Sequence, residues 1–221
     1  MARYDKVHKQ ATRQRIIETA GHRFKQDGID GSGIATLMAD AGLTNGAFYA
    51  HFSSKDDLVA HVVADQLDTQ TESFRALPPG RAGLEGFLRE YLSPQHRDNP
   101  ADGCPSAALL DEIARCPAGT KHAYTDGAQA ILEEIAARLA PEDPQSARAK
   151  ALGLYTIAVG TLQVSRVVSD PKVADEILEQ GIRNVLTLVH AEGEASGYRS
   201  TIRDTRPGEP IDANATRRPP A

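Results

Sequence analysis

The chain has 221 residues, of which 40% are hydrophobic and 25% charged, a balance that excludes wholesale disorder. It contains no run of about 18 apolar residues such as a membrane-spanning helix needs, and its basic, polar N-terminus lacks the apolar core of a secretory signal. Two cysteines are too few for a disulfide framework, so we expect a cytoplasmic protein.

The formal net charge of −5 is distributed unevenly along the chain. Residues 1–55 carry eight Lys and Arg side chains against five Asp and Glu, a net charge of +3, whereas the remainder carries 17 against 25, a net charge of −8. A cationic end on an acidic body can approach nucleic-acid phosphate with one face only. The asymmetry favours DNA as a partner without identifying it.

The first predicted helix covers residues 12–26. Its apolar side chains recur at intervals of three and four and form one buried stripe, which consists of Ile16, Ile17, Ala20 and Phe24. Gly28 follows in the position that favours glycine after a helix end. A second short helix is expected after Gly33, with Ser32 as a possible N-cap.

A glycine turn and a third short helix come next. Gly42 suits the turn because one residue there needs a positive φ. Thr44 would cap the third helix over residues 45–49. A longer helix then begins at Ser54, and its acidic first turn lies where the helix dipole favours negative charge.

The rest of the chain reads as a larger helical body. Further helices are predicted at residues 84–92, 106–115, 121–139, 147–168 and 172–190. Residues 94–103 are expected to form a polar loop. Residues 192–221 have few apolar side chains to offset the entropy of ordering, so they are expected to form a flexible tail.

Three short helices joined by a glycine turn at the basic end are typical of a helix-turn-helix, although any small helical subdomain gives the same periodicity. Residues 42–58, GLTNGAFYAHFSSKDDL, closely resemble the signature of the TetR family of regulators. That signature is a glycine turn, a small polar N-cap, a recognition helix ending Tyr-x-His-Phe, and a link to Lys-x-x-Leu. The resemblance extends over residues 12–60.

The resemblance implies an all-α fold with three parts. An N-terminal three-helix DNA-binding domain is expected over residues 1–53, a helical ligand-binding and dimerisation domain over 54–191, and then the tail. The sequence departs from the family pattern at Gly33 and Ala35, where members often have Thr or Ser and then Arg. The departure removes one expected phosphate contact of the second helix.

In a helix-turn-helix the recognition helix lies in the major groove with its N-terminal residues toward the base edges. The residues in that position here are Thr44, Asn45 and Gly46. Asn45 can bridge N6 and N7 of adenine, while Gly46 and Ala47 permit a close approach. The two phenylalanines of this segment are expected in the core rather than against bases.

Four further residues are expected to contact phosphate. Tyr49 and His51 resemble the family's phosphate-contacting positions, Lys55 adds a cation at the start of the next helix, and Thr36 can reach the backbone from the second helix. Structural alternatives stay open: the Tyr49 ring packing, His51 capping or packing, and Lys55 as a solvated charge.

The resemblance also implies a homodimer formed through the last two helices. Their apolar stripes are wider than one internal neighbour covers, so two helices from each subunit could form an isologous four-helix interface. The alternative is that both are ordinary core helices of a monomer. A dimer would hold its recognition helices about 34–36 Å apart, and a ligand that prefers one conformer would change that separation.

The ligand pocket that the resemblance implies is weakly marked in the sequence. Candidates are the aromatic residues of the body and a few polar side chains, namely Phe87, Tyr91, Cys104, His122, Tyr124, Tyr155 and Gln163. The alternative for each is plain core or surface.

Cys104 precedes Pro105, which favours the first helical position, so Cys104 is predicted to be an N-cap. Helix amides favour a thiolate there, which makes redox or electrophile sensing one interpretation and a structural role the other. Cys116 lies about 18 Å farther along a continuous helix, too far for a disulfide with Cys104.

We therefore expect a ligand-responsive repressor that binds palindromic operator DNA as a homodimer and is released by a small-molecule effector. The alternative on the same scaffold is a thiol-based regulator that uses Cys104. An all-helical enzyme is a third hypothesis, but the sequence has no HExxH, no Cys-x-x-Cys and no phosphate-cradling glycine-rich loop. Because its seven histidines also lack metal-ligand spacing, no enzyme activity, metal or cofactor is expected.

Overall fold

The computed structural model describes residues 2–191, with side chains from Val7 onward. In that range the chain forms α1 (Ala2–Asp27), α2 (Ile34–Asp40), α3 (Lys55–Ala76), α4 (Gly80–Tyr91), α5 (Pro94–Asp98), α6 (Pro105–Arg115), α7 (Ala118–Leu139), α8 (Arg148–Val167) and α9 (Pro171–His190). Short 3₁₀ helices cover Asn45–Ala50, Pro100–Asp102 and Pro144–Ala147. These residues include no strand, which confirms the predicted all-α class, and none of the helices is long and apolar enough to span a membrane.

The N-terminal part packs α1, α2 and the 3₁₀ helix Asn45–Ala50 around one core. Phe24, Met38 and Phe48 are completely buried there, and the predicted stripe of α1 faces them. Gly28 and Gly42 have φ values of +82° and +69°, a region that side chains with a Cβ avoid. The two turns around α2 were therefore predictable from glycine positions.

The helix starts differ in part from prediction. The N-cap of α2 is Gly33, and the predicted Ser32 cap is wrong because the Ser32 hydroxyl donates to the Gly28 carbonyl oxygen at 2.8 Å. Thr44 is the N-cap of the third element as predicted, but its side chain accepts no bond and the element is a 3₁₀ helix. α1 begins at Ala2, well before the predicted start at Thr12. The prediction missed its first turns because they are polar and carry no apolar stripe.

The start of α3 follows the prediction. Ser54 is the N-cap, and its Oγ accepts a hydrogen bond of 3.0 Å from the amide of Asp57. The Asp57 carboxylate in turn accepts bonds from the amide and hydroxyl of Ser53, at 2.8 and 3.0 Å. These reciprocal bonds satisfy amides at the helix start and fix the direction in which α3 leaves the N-terminal part.

Close helix packing organises the body, in which α3 lies along α7 and α8 pairs with α9. A Cβ on Gly127 of α7 would lie 2.5 Å from the Leu67 Cβ on α3. A Cβ on Gly181 of α9 would lie 2.3 Å from the Thr161 Cγ2 on α8. Both pairs of helices therefore approach as closely as glycine allows.

Residues 94–103 are not the predicted polar loop. They contain α5 and a 3₁₀ turn, because Ser93 accepts a bond of 3.2 Å from the His96 amide and Pro94 occupies the first helical position. The Ser-Pro start signal was present in the sequence, but a helix of one turn has no apolar periodicity to reveal it.

The N-terminal part and the body are joined by hydrogen bonds as well as by α3. The Glu112 carboxylate of α6 accepts a bond of 2.7 Å from the Ile29 amide in the turn after α1. The Lys25 ammonium of α1 donates to the Gly103 carbonyl oxygen at 2.8 Å. The domain boundary between residues 53 and 54 stays a prediction, and the predicted tail, 192–221, lies outside the described residues.

Candidate nucleic-acid interface and ligand cavity

The predicted base-reading residues lie at the start of the 3₁₀ helix Asn45–Ala50. Thr44, Asn45 and Gly46 are exposed, and Ala47 is half-buried. A Cβ on Gly46 would have no neighbour within 4 Å, so the surface there is open. Thr36 is exposed on α2.

The aromatic residues of this segment divide into buried and exposed groups. Phe48 is completely buried, whereas its neighbour Tyr49 is 69% exposed and meets the Phe48 ring edge-on, with centroids 5.2 Å apart. Phe52 is 2% exposed and lies 5.7 Å from Phe48. The expectation that the phenylalanines are core residues is confirmed, and they hold the Tyr49 hydroxyl on the surface.

His51 is half-buried at the C-cap of the same helix, and its Nδ1 has no hydrogen-bond partner among the described residues. Burial lowers the pKa of His51, and the nearby cations Lys9 and Arg13 lower that pKa further. The Arg13 guanidinium also lies over the Phe52 ring, 4.6 Å from its centroid. Lys9 and Arg13, one turn apart on α1, are basic groups beside His51 that the sequence reasoning missed.

Lys55 is half-buried and is the first residue of α3. The Ser53 amide holds the pKa of the adjacent Asp57 below its usual range, and burial opposes that effect. Asp57 therefore remains an anionic cap, and its bonds to Ser53 fix the helix start at which Lys55 lies. The result is a cation at a rigidly fixed helix start.

A second feature is a small cavity in the body, between α3, α4, α7 and α8. Its aliphatic lining consists of Leu88, Ile135, Leu154, Ala158 and Val159. Its aromatic lining consists of Phe74, Phe87, Tyr91 and Tyr155, and Gln70 completes it. The centroid of the Phe87 ring lies 4.3 Å from that of the Phe74 ring and 5.7 Å from that of the Tyr91 ring. The cavity is thus lined mainly by apolar side chains.

Hydroxyl groups gather at one side of this cavity. The Tyr155 hydroxyl lies 2.7 Å from the Ser106 Oγ and 3.0 Å from the Tyr124 hydroxyl, and Tyr124 donates to Ser106 at 3.2 Å. The Tyr91 hydroxyl, by contrast, is buried and has no hydrogen-bond partner in the described structure. The Tyr91 hydroxyl instead lies near the Cys104 thiol, and burial raises the pKa of Tyr91.

The predicted pocket residues are only partly brought together. Phe87, Tyr91 and Tyr155 line the cavity, and the Cys104 thiol donates to the Oε1 of the lining residue Gln70 at 3.4 Å. Tyr124 touches the cavity only through Tyr155. His122 is exposed and Gln163 half-buried, and neither is among the lining residues. The sequence reasoning missed Gln70 and Phe74, which reach the cavity from α3.

Cys104 is the N-cap of α6 as predicted, with Pro105 in the first turn. It is 6% exposed, and its amide donates to the Nε2 of His96 at 3.1 Å. The His96 Nδ1 donates to the Tyr91 carbonyl oxygen at 2.7 Å, so the ring is held in one neutral tautomer, and burial lowers its pKa. Cys116 is free at the other end of α6, and burial raises the pKa of its thiol.

Comparison with known proteins gives one family. Residues 16–62 match the model described as bacterial regulatory proteins, tetR family. The HTH-type transcriptional regulator AcrR of Shigella flexneri is 39% identical over 62 residues, which are 28% of this chain and 29% of that protein. The chain spans 29–40% of the length of the curated relatives that it matches.

Solved structures are similar over most of the chain. The reduced form of NemR from E. coli superimposes with a TM-score of 0.69 at 18% identity, covering 79% of this chain and 95% of NemR. A TetR-family transcriptional regulator from Streptomyces coelicolor has a TM-score of 0.59 at 25% identity, covering 80% of this chain and 95% of that one. The fold of the body is therefore shared as well as the N-terminal motif.

Proposed function

The chain belongs to the tetR family of bacterial regulatory proteins, and from that premise we propose that it represses transcription by binding operator DNA as a homodimer until an effector releases it. The observation that carries the proposal is the exposed polar edge from Thr44 to Tyr49, seated on the buried pair Phe48 and Phe52. Such a short, rigid, protruding element at the basic end fits the major groove. DNA binding also implies a cytoplasmic site of action.

In this proposal, the contacts divide by type. Asn45 reads a base edge, while Tyr49 and Lys55 contact phosphate and set the register. Lys9 and Arg13 on α1 add cationic groups close to His51, and they extend the phosphate-facing surface beyond the residues that the sequence motif marks.

The exposed apolar residues of α8 and α9 support a dimer. Val167 is 82% exposed, Val164 50%, Leu152 42% and Val173 41%. Large exposed apolar side chains on neighbouring helices mark an interaction surface. A second copy covering this surface by a two-fold axis would offer two recognition elements to one face of the duplex.

Effector release needs a connection between the cavity and the DNA-reading part, and α6 supports one. Its N-cap, Cys104, bonds to the cavity residue Gln70, and Glu112 near its other end accepts the Ile29 amide. A ligand that displaces α6 would alter the Glu112 bond and so the placement of the N-terminal part. The ligand must favour one of the two arrangements, because equal affinity shifts no population.

The proposal is tested by selecting bound fragments from a random DNA library with the purified full chain, and then by measuring the affinity of Lys55→Ala against the selected site. We expect weaker binding to all sequences and a salt dependence reduced by about one unit of log–log slope, since one phosphate contact is lost. Lys121→Ala, an exposed lysine at the start of α7, is the matched control. Equal losses from both variants would contradict the contact assignment.

A second candidate is a thiol-based regulator on the same scaffold. It is favoured by the position of Cys104 at the N-terminus of α6, with the Lys25 ammonium bound to the adjacent Gly103 carbonyl oxygen. The burial of Cys104 opposes it. If the thiol is the sensor, Cys104→Ser abolishes release by oxidant and leaves DNA affinity intact; if effector binding is the signal, oxidant has no effect on either protein.

A further inference from the structure

The first turns of α1 extend ahead of the core of the N-terminal part. The buried stripe of α1 begins only at Ile16, and no side chain from Val7 to Arg15 is buried. This stretch, residues 7–15, is called the leading segment. It is held at its end, where the Gln14 amide donates to the Asp65 carboxylate of α3 at 2.8 Å. Because short polar helices are marginal in water, a segment of this kind gains stability from a surface that covers it.

The leading segment is basic and contains no acidic residue. Lys9 and Arg13 are four residues apart and so lie on one side of α1, whereas Arg15 is about 200° around the helix axis from Arg13. The Arg13 guanidinium lies over the Phe52 ring, 4.6 Å from its centroid. Its charge also helps to lower the pKa of Asp57, but that carboxylate already accepts bonds from Ser53 at 2.8 and 3.0 Å. The side of the leading segment that carries Lys9 and Arg13 therefore suits an anionic partner.

This side of α1 is continuous with the surface proposed to face DNA. Lys9 and Arg13 both lie close enough to His51 to lower its pKa. His51 directly precedes Phe52 and lies two residues after Tyr49, which is 69% exposed. Duplex DNA carries one phosphate charge for about every 1.7 Å of its axis. A duplex held by the recognition element therefore has further phosphates within reach of cations beside that element.

We propose that the leading segment is a second DNA-contacting element, in which Lys9 and Arg13 bind backbone phosphates beside those contacted by the recognition element. The inference rests on the proposed operator binding and adds a partner for turns of α1 that lie outside the helix-turn-helix core. Because the partner is phosphate, the segment contributes affinity and register but no base preference.

The test is ethylation interference, in which an ethyl group neutralises one operator phosphate at a time, with the full chain bound to the selected site. Lys9→Gln and Arg15→Gln each remove one positive charge from an exposed position of the leading segment, but on different sides of α1. In Lys9→Gln we expect interference to disappear at a phosphate in each half-site. Operator affinity should fall about tenfold, one exposed ion pair in each of two half-sites. The log–log salt dependence should fall by about one unit per half-site.

Arg15→Gln is the matched control for net charge. It should keep the interference pattern of the parent chain and bind the operator within about twofold of it. Both variants should melt with the parent chain, because both side chains are exposed. The inference is overturned if the two variants lose affinity equally, or if Lys9→Gln keeps every interference position. Those results leave operator binding itself intact, whereas a parent chain that selects no DNA site overturns the proposed function and this inference with it.

Discussion

The N-terminal part and the body carry their functional residues in opposite ways. In the N-terminal part all candidate residues but Thr36 fall within residues 44–55, most of them are exposed, and a buried phenylalanine pair supports them. In the body, the cavity is assembled from α3, α4, α7 and α8, and its residues lie up to 89 positions apart, from Gln70 to Val159. Local motifs therefore reveal the first site, whereas only the fold reveals the second.

The largest expected effect is a loss of stability on removing a buried phenylalanine beneath the N-terminal surface. Phe48→Ala should lower the free energy of unfolding by about 3–5 kcal/mol, because it leaves a cavity in a fully buried position. Tyr49→Ala, one residue on and 69% exposed, should change it by no more than about 0.5 kcal/mol. Urea denaturation followed by circular dichroism measures both. Similar losses would mean that Tyr49 is part of the core.

Base reading by the exposed edge is tested by Asn45→Ala. We expect a loss of discrimination of about 1–3 kcal/mol at one base pair in each half-site, with binding to unrelated DNA unchanged. Competition binding with single-base variants of the selected site provides the measurement. A uniform loss across all variants would instead make Asn45 a phosphate contact.

The comparison also shows what the sequence could not predict. The glycine turns, the Ser54 cap and the core role of Phe48 follow from local rules, and the structure has each of them. His122 looked as suitable for the pocket as Tyr155, but it lies on the solvent-facing side of α7. Spacing within one helix does not say which neighbouring helix covers a side chain. Short helices such as α5 escape prediction for a different reason, because a single turn is too short to show a hydrophobic period.

The turn between α2 and the recognition element gives a smaller effect. Gly42→Ala should cost about 1–2 kcal/mol of stability, because its φ of +69° is unfavourable for any residue with a Cβ. Nothing within 4 Å would obstruct the added methyl, so the cost is one of backbone conformation. Gly46→Ala, equally open but without positive φ, is the control for thermal unfolding. Equal stability of the two variants would contradict the argument.

The smallest expected effect is a pH dependence of stability that arises at His96, which bonds to the backbone of the cavity residue Tyr91. Burial lowers the pKa of His96 in the folded chain, so the unfolded chain binds more protons and stability falls as the pH drops below the unfolded value of about 6.5. His51, whose pKa is also lowered, contributes in the same direction. Between pH 7 and 5, His96→Gln should therefore lose less stability than the parent chain. His122→Gln, at an exposed position, should follow the parent, and a steeper loss in His96→Gln would reverse the assignment.

The central claim is that a two-fold dimer offers paired recognition elements to successive major grooves. The most direct measurement is the affinity of the purified dimer, confirmed by sedimentation, for palindromic sites whose half-sites are about 10–10.5 base pairs apart, centre to centre, against sites with the spacing shifted by half a helical turn. The account predicts strong preference for the first set at moderate ionic strength. Equal affinity for both sets, and for DNA without a palindrome, would contradict it.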